Sequence, residues 1–330
     1  AKYVLLATQI EKNLLLPKRL NMKILGIGNA IVDVICKVDD NFITENNLTK
    51  STMKLFFDEN EFKNLLTNLK IEKTVSGGSV ANSIVGISQL GDKAGFIGKI
   101  SDDEFGSNYE EGLNKEKVEF FYSKKKEMLP TGTCLILVTP DSERTMCTFL
   151  GIAGKINEKD VSVDAIKKSE IIFLEGYLWD EGEPKRAFDK AINNANKVAM
   201  SLSDLFCVDR HKPNFLNLVK NKLDITFANE QEITSLIEAK NFDEVINFSK
   251  QLNKLVVITR GEKGAIAING DEVVENDIQK NLKVVDLTGA GDLFAAGFLH
   301  GFINKLTTKE CLDKGTAMSS RVIQQIGARL

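Results

Sequence analysis

The residues best equipped for chemistry lie in VVDLTGAGDLFAAGF, positions 284–298. An extended run enters Thr288-Gly289-Ala290-Gly291-Asp292 and then a helix carrying small residues, Ala295, Ala296 and Gly297. Glycines at a helix start leave the backbone N–H groups of 289–292 unobstructed, and with the macrodipole such groups bind anions. Asp292 falls in the first turn, where a carboxylate can act as a general base beside an anion or simply favour the dipole. Both readings stand on these residues alone.

Four further segments carry chemistry beside a plainer role. In VSGGSVANS (75–83), Gly77-Gly78 lets backbone approach a ligand and Asn82 offers donor and acceptor; Ser79 equally suits an N-cap. GIGNAIVD (26–33) mimics a dinucleotide fingerprint, but Ile31 stands where Gly or Ala is required and a strand-like run follows. A dehydrogenase is disfavoured on that ground. Asn29 and Asp33 remain as polar residues in an apolar run, suited to cap a turn or hold a ligand hydroxyl. NEQE (229–232) reads as a capping box between Asn229 and Glu232, or as a carboxylate ordering a hydrated Mg²⁺. In TRGEKGA, Thr259, Arg260, Gly261 and Gly264 suit a nucleotide phosphate or a tight turn. No Walker A loop occurs, so any ATP use is not of the P-loop type.

The elements that must position these residues alternate from Met22 onward. Strands are expected at 23–28, 94–100, 170–176, 197–203, 224–229 and 255–261. Helices are expected at 58–70, 79–90, 102–115, 181–196, 211–221, 230–238, 242–252, about 290–304 and 308–325. That rhythm predicts an α/β fold, a doubly wound, mostly parallel sheet flanked by helices. Two stretches break it with strands that have no helix between them, and these predict a small β-sheet lid from about 29–57 and 118–150. The second holds a hairpin turning at Pro140-Asp141-Ser142. Such a lid suits a site at the strand ends. Residues 1–21 read as an N-terminal extension to a domain at 22–330.

Composition narrows the classes. The 330 residues are 27% charged and 43% hydrophobic, an ordinary globular mix, and the net charge of −3 lacks the basic balance of a nucleic-acid binder. Five scattered cysteines without a CxxC pair suggest free thiols in a reducing compartment. Two histidines cannot build a His-rich metal cluster. No apolar run approaches the roughly 20 residues of a membrane span, and the N-terminal patches lack a continuous signal core, so a cytoplasmic protein is expected.

In this order and spacing, GNAIVD, GGSVANS, NEQE, TRGEKGA and DLTGAGD resemble the ribokinase family, also called the PfkB carbohydrate-kinase family. The resemblance runs from Met22 to the last residue. Val80 stands where the family's sugar kinases usually carry Gly, Ala or Pro; with Asn82-Ser83 and GNAIVDVI it looks more like the adenosine kinase branch. The resemblance implies a ribokinase-like fold and transfer of the γ-phosphoryl group of ATP to a primary hydroxyl of a nucleoside or sugar. It implies Asp292 as base, the amides of Gly289, Ala290 and Gly291 as anion hole, and Arg144 facing the phosphates. Asn29, Asp33, Gly77, Gly78 and Asn82 would hold the acceptor, with Tyr177 on a nucleobase. Asn229, Thr259, Arg260, Gly261 and Gly264 would meet the nucleotide, and Glu232 would reach Mg²⁺ through water. A monovalent cation fits the family but has no assigned ligands here. Adenosine is the expected acceptor, with a ribose- or fructose-type sugar kinase as the alternative; a non-catalytic nucleotide- or sugar-binding regulator would have lost the base or the glycines. Phe56, Phe57 and Phe149, in the lid, either line a base pocket or form lid core. Monomer and homodimer stay open.

Overall fold

The computed structural model describes residues 22–330; the expected extension, 1–21, lies outside them. Its strands are β1 (Met22–Ile27), β2 (Ile31–Lys37), β3 (Met53–Phe56), β4 (Ile71–Gly77), β5 (Ala94–Ile97), β6 (Glu119–Phe120) and β7 (Gly132–Val138). They continue with β8 (Arg144–Phe149), β9 (Ser169–Glu175), β10 (Val198–Ser201), β11 (Ile225–Asn229), β12 (Leu255–Thr259), β13 (Ala265–Asn269) and β14 (Glu272–Asn276). A nine-stranded sheet has the order β14-β13-β12-β11-β10-β9-β1-β5-β6, parallel except for the β13–β14 hairpin at one edge.

Helices cover both faces of this sheet, so its strands are near-continuous apolar runs. Alternation sends Ile24, Phe96 and Phe173 into one core and Leu25, Ile27, Ile172 and Leu174 into the other. Strand β1 lies between β5 and β9; the chain runs outward to β6 on one side and from β9 to β14 on the other. The carboxyl ends of β1 and β9 therefore flank a topological switch point, where ligands of open α/β sheets bind.

The smaller sheet has the order β3-β8-β7-β2-β4. It differs from the expected lid in three ways. Strand β4 lies outside both expected segments, because IEKTVSG shows no clean alternation; it pairs antiparallel with β2 through Asp33 and Val75. Glu119–Phe120 is not lid: it pairs parallel with β5 of the main sheet, a two-residue edge strand too short for any periodicity. The stretch 29–57 does hold a helix, Asp40–Glu45, started by Asp39 accepting the Phe42 N–H. Among the described residues, no helix is long and apolar enough to cross a membrane.

Candidate active site

Asp292 is where the two strongest sequence motifs meet. The helix Ala290–Ile303 starts at Gly289, whose φ of 79° is left-handed, with no side-chain cap. The Ala290 N–H bonds the Leu287 carbonyl at 3.2 Å, while Gly289, Gly291 and Asp292 have no acceptor for their N–H groups among the described residues. The helix Ser79–Gln89 begins opposite, after Gly78 at φ 103°. From it, the Ser79 hydroxyl donates to Asp292 Oδ1 (2.6 Å), Asn82 Nδ2 to Oδ2 (3.0 Å), and the Ser83 hydroxyl to the Asp292 carbonyl (2.8 Å). Burial raises the Asp292 carboxyl above its ordinary range; the Ser79 and Asn82 bonds and the charge of Arg329 partly offset this.

Behind this pair, Glu175 at the end of β9 ties the segments at Asn29 and Val80 together. Its Oε1 accepts from the Asn29 N–H (3.2 Å) and Nδ2 (3.0 Å), and its Oε2 from the Val80 N–H (3.0 Å). Asn29 thus faces Glu175, and its Oδ1 is left buried without a partner. Burial pushes Glu175 up to about 7. Asp33, on β2, is also pushed up to about 7 by burial, opposed by Arg329 and reinforced by Asp292. Among the described residues, no hydrogen bond engages the Asp33 carboxylate. Gly77 is held beside it, since a methyl there would lie 2.4 Å from Asp33 Oδ2.

A cavity of 410 Å³ opens on the other side of Asp292, lined by Gly289, Ala290, Gly291, Tyr177, Asn229, Glu232 and Thr259, among others. Asn229 and Glu232 form the capping box: Glu232 Oε2 accepts from the Asn229 N–H (2.9 Å), and Asn229 Oδ1 from the Glu232 N–H (2.8 Å). Glu232 is buried, which raises its carboxyl to about 7. Tyr177 stands on this side, its hydroxyl 3.5 Å from Asp204, while Asp33, Gly77 and Asn82 do not line the cavity. Arg260 stacks on Phe242 at 3.8 Å and donates to Glu230 (3.0 Å), on a neighbouring 910 Å³ cleft that Asn229, Thr259 and Gly261 also line. Gly264, at φ 81°, makes the tight turn into β13. Arg144 reaches the helix start by pairing with Asp286 at 2.6 Å; Asp286 also accepts from Thr288 and from the Gly327 N–H.

The model for pfkB family carbohydrate kinases matches residues 27–330. The chain belongs to that family. Adenosine kinase from Sinorhizobium meliloti is 37% identical, covering 94% of this chain and 96% of its own, with a TM-score of 0.83. A probable sugar kinase protein from Rhizobium etli CFN 42 is 35% identical, covering 95% and 96%, also at 0.83. Among curated proteins, a 5-dehydro-2-deoxygluconokinase from Clostridium botulinum is 27% identical over 78% of this chain and 81% of its own. As a pfkB-family member the protein is a phosphotransferase acting on hydroxyl groups, with sugar kinases and an adenosine kinase among its relatives.

Several residues of this pfkB-family site escape the sequence motifs. Glu175 has one signal, a carboxylate closing the otherwise apolar strand EIIFLE. Arg329 has none, since it follows the last helix, Thr308–Val322, without periodicity. The lid phenylalanines divide: Phe56 and Phe149 are core, with Phe149 stacked on Phe62 at 5.5 Å, and Phe57 is 86% exposed.

Proposed function

We propose that this protein transfers the γ-phosphoryl group of ATP to the primary hydroxyl of a nucleoside, adenosine in the first place. One observation carries the chemistry: a half-buried carboxylate, Asp292, sits in the first turn of a helix whose leading N–H groups are free. Likeness to an adenosine kinase at 37% identity over 94% of the chain supports the choice of acceptor.

The residues divide into two sides of that carboxylate. Asp33, Gly77, Gly78 and Asn82 hold the acceptor's sugar hydroxyls, with Asp33 supplying the unengaged carboxylate. Asn29 positions this side through Glu175. Asn229, Thr259, Arg260, Gly261 and Gly264 serve the nucleotide along the ends of β11 and β12. The cavity placement of Tyr177 supports contact with the nucleotide's phosphates or sugar more than with the acceptor's base.

Asp292 accepts the proton of the acceptor hydroxyl as its oxygen bonds phosphorus; the bond to the β-phosphate oxygen breaks, and ADP leaves. The N–H groups of Gly289, Ala290 and Gly291 receive the transferring group's charge, Ala290 by giving up Leu287. Arg144, already at the helix start through Asp286, adds a cation to that end. Phosphoryl transfer asks for this positioning and charge stabilisation more than for covalent help. Among the described residues no group of three or more His, Cys, Asp or Glu converges into a metal cage. Mg²⁺ rests on phosphate oxygens and water with few carboxylates. Glu232 would hold it through water, and the ion would neutralise charge on the phosphates.

A free-sugar acceptor is the second reading. It is favoured by the burial of Phe56 and Phe149 in the lid, which removes two candidates for a base pocket. Turnover with Mg-ATP, measured side by side for adenosine, other nucleosides, ribose and fructose, separates the two. Activity with nucleosides alone supports the first reading, and activity with sugars alone replaces it.

A further inference from the structure

The segment after the last helix returns to the active site. The Val285 and Asp286 N–H groups bond the Ile323 carbonyl (2.8 and 3.1 Å), and the Gly327 N–H bonds Asp286 Oδ2 (2.9 Å). Ala328 packs on Gly289, where an added methyl would lie 2.6 Å from the Ala328 Cα. The next residue, Arg329, donates through Nε to Asn82 Oδ1 at 2.9 Å, while Asn82 Nδ2 donates to Asp292 Oδ2 at 3.0 Å. Its Nη2 is buried without any partner.

The structure assigns Arg329 as a positioning residue for Asp292, acting through Asn82. This rests on the kinase reading, in which Asp292 is the base.

The chemistry of the amide makes the link directional. Guanidinium has donors only, so it can engage only the Oδ1 of Asn82. That bond fixes the amide with its NH₂ toward Asp292, a donor that favours the ionised carboxylate. Without it the amide is free to turn its oxygen to Asp292, which favours the protonated, inactive acid. The charged groups around Asp292 oppose each other: Arg329 draws its proton affinity down, while the half-buried Asp33, the buried Glu175 and the exposed Tyr177 each feel the Asp292 charge as one that raises their own proton affinity. Arg329 is the cation in that set.

Two variants separate alignment from charge. Arg329→Met loses both, while Arg329→Gln keeps a donor for Asn82 and loses the charge. In pH profiles of kcat/KM, both should move the acid limb upward by about one unit, the scale of one nearby charge. The plateau kcat should fall about tenfold in Arg329→Met and by a smaller factor in Arg329→Gln, with the KM for ATP unchanged in both, as expected when only the base is misaligned. A second readout needs no acceptor: the ¹³C titration of the Asp292 carboxyl, assigned with Asp292→Asn, should shift upward in both variants. If no acceptor turns over in the wild type, the kinase reading fails and the carboxyl titration still decides the role of Arg329. An unmoved titration in both variants overturns the assignment.

Discussion

The Ser79 hydroxyl lies 2.6 Å from Asp292 Oδ1 and joins two helix starts that are 213 residues apart in the chain. A carboxylate held by two donors, at a helix end with open N–H groups, is aligned before any ligand arrives, as the proposed base requires. Asp292→Asn keeps the size and the helix but removes the proton acceptor. It should lower kcat by about 10²–10⁴, the usual scale for a general base. Steady-state turnover near the wild-type rate in that variant contradicts the assignment.

Arg144 gives a second, separable effect. Burial raises Asp286, but the N–H groups of Gly327 and Thr288, the Thr288 hydroxyl and Arg144 outweigh it and hold the carboxyl below its ordinary range. Arg144→Ala removes a cation from the helix end proposed to receive the phosphoryl group. It should reduce kcat by roughly tenfold to a hundredfold with a smaller rise in KM, as for a charge that acts mainly in the transition state. A change confined to KM places Arg144 in ground-state binding.

Gly77 tests the acceptor side by itself. A methyl at that position meets Asp33 Oδ2 at 2.4 Å, so Gly77→Ala must displace the free carboxylate. The KM for the acceptor should rise by about tenfold or more, the scale of one lost charged hydrogen bond, while the KM for ATP stays constant. Equal increases in both would mean that Asp33 does not serve the acceptor alone.

Glu175 and Glu232 are buried and Asp33 half-buried, and these three carboxyls set a pH dependence of stability. Asp33, Glu175 and Glu232 are each raised to about 7, primarily by burial. Between their ordinary values and about 7 the folded state binds more protons than the unfolded chain, so these groups reduce stability as pH rises through that window. His211, lowered by burial, acts in the opposite sense, but only below its ordinary value of 6.5. Calorimetric unfolding of the ligand-free protein should show lower stability at pH 8 than at pH 6.5, on the order of 1–3 kcal/mol. Equal or greater stability at pH 8 contradicts the burial of these groups in their charged form.

The sequence was most readable where local physics decides the structure. The apolar runs of β1, β5 and β9 through β12 and the helices between them follow from period and length alone. The Asn229–Glu232 capping box is visible because its partners are three residues apart. Asp292 and the glycines before it are readable as a helix start for the same reason. The bonds from Ser79, Asn82 and Ser83 to Asp292 span more than two hundred residues and have no local signature. Glu175 and Arg329 matter because the strand order and the final turn bring them to the switch point, which spacing does not encode. The small sheet was readable as a hairpin with β2 and β3 near it, but β4 needed a partner strand to reveal its role.

Production of AMP and ADP from adenosine and Mg-ATP, followed by chromatography with wild type and Asp292→Asn in parallel, tests the central claim most directly. The predicted result is one AMP per ADP in the wild type and little of either in the variant. ADP formation that needs a free sugar, with no AMP from adenosine, contradicts the nucleoside acceptor.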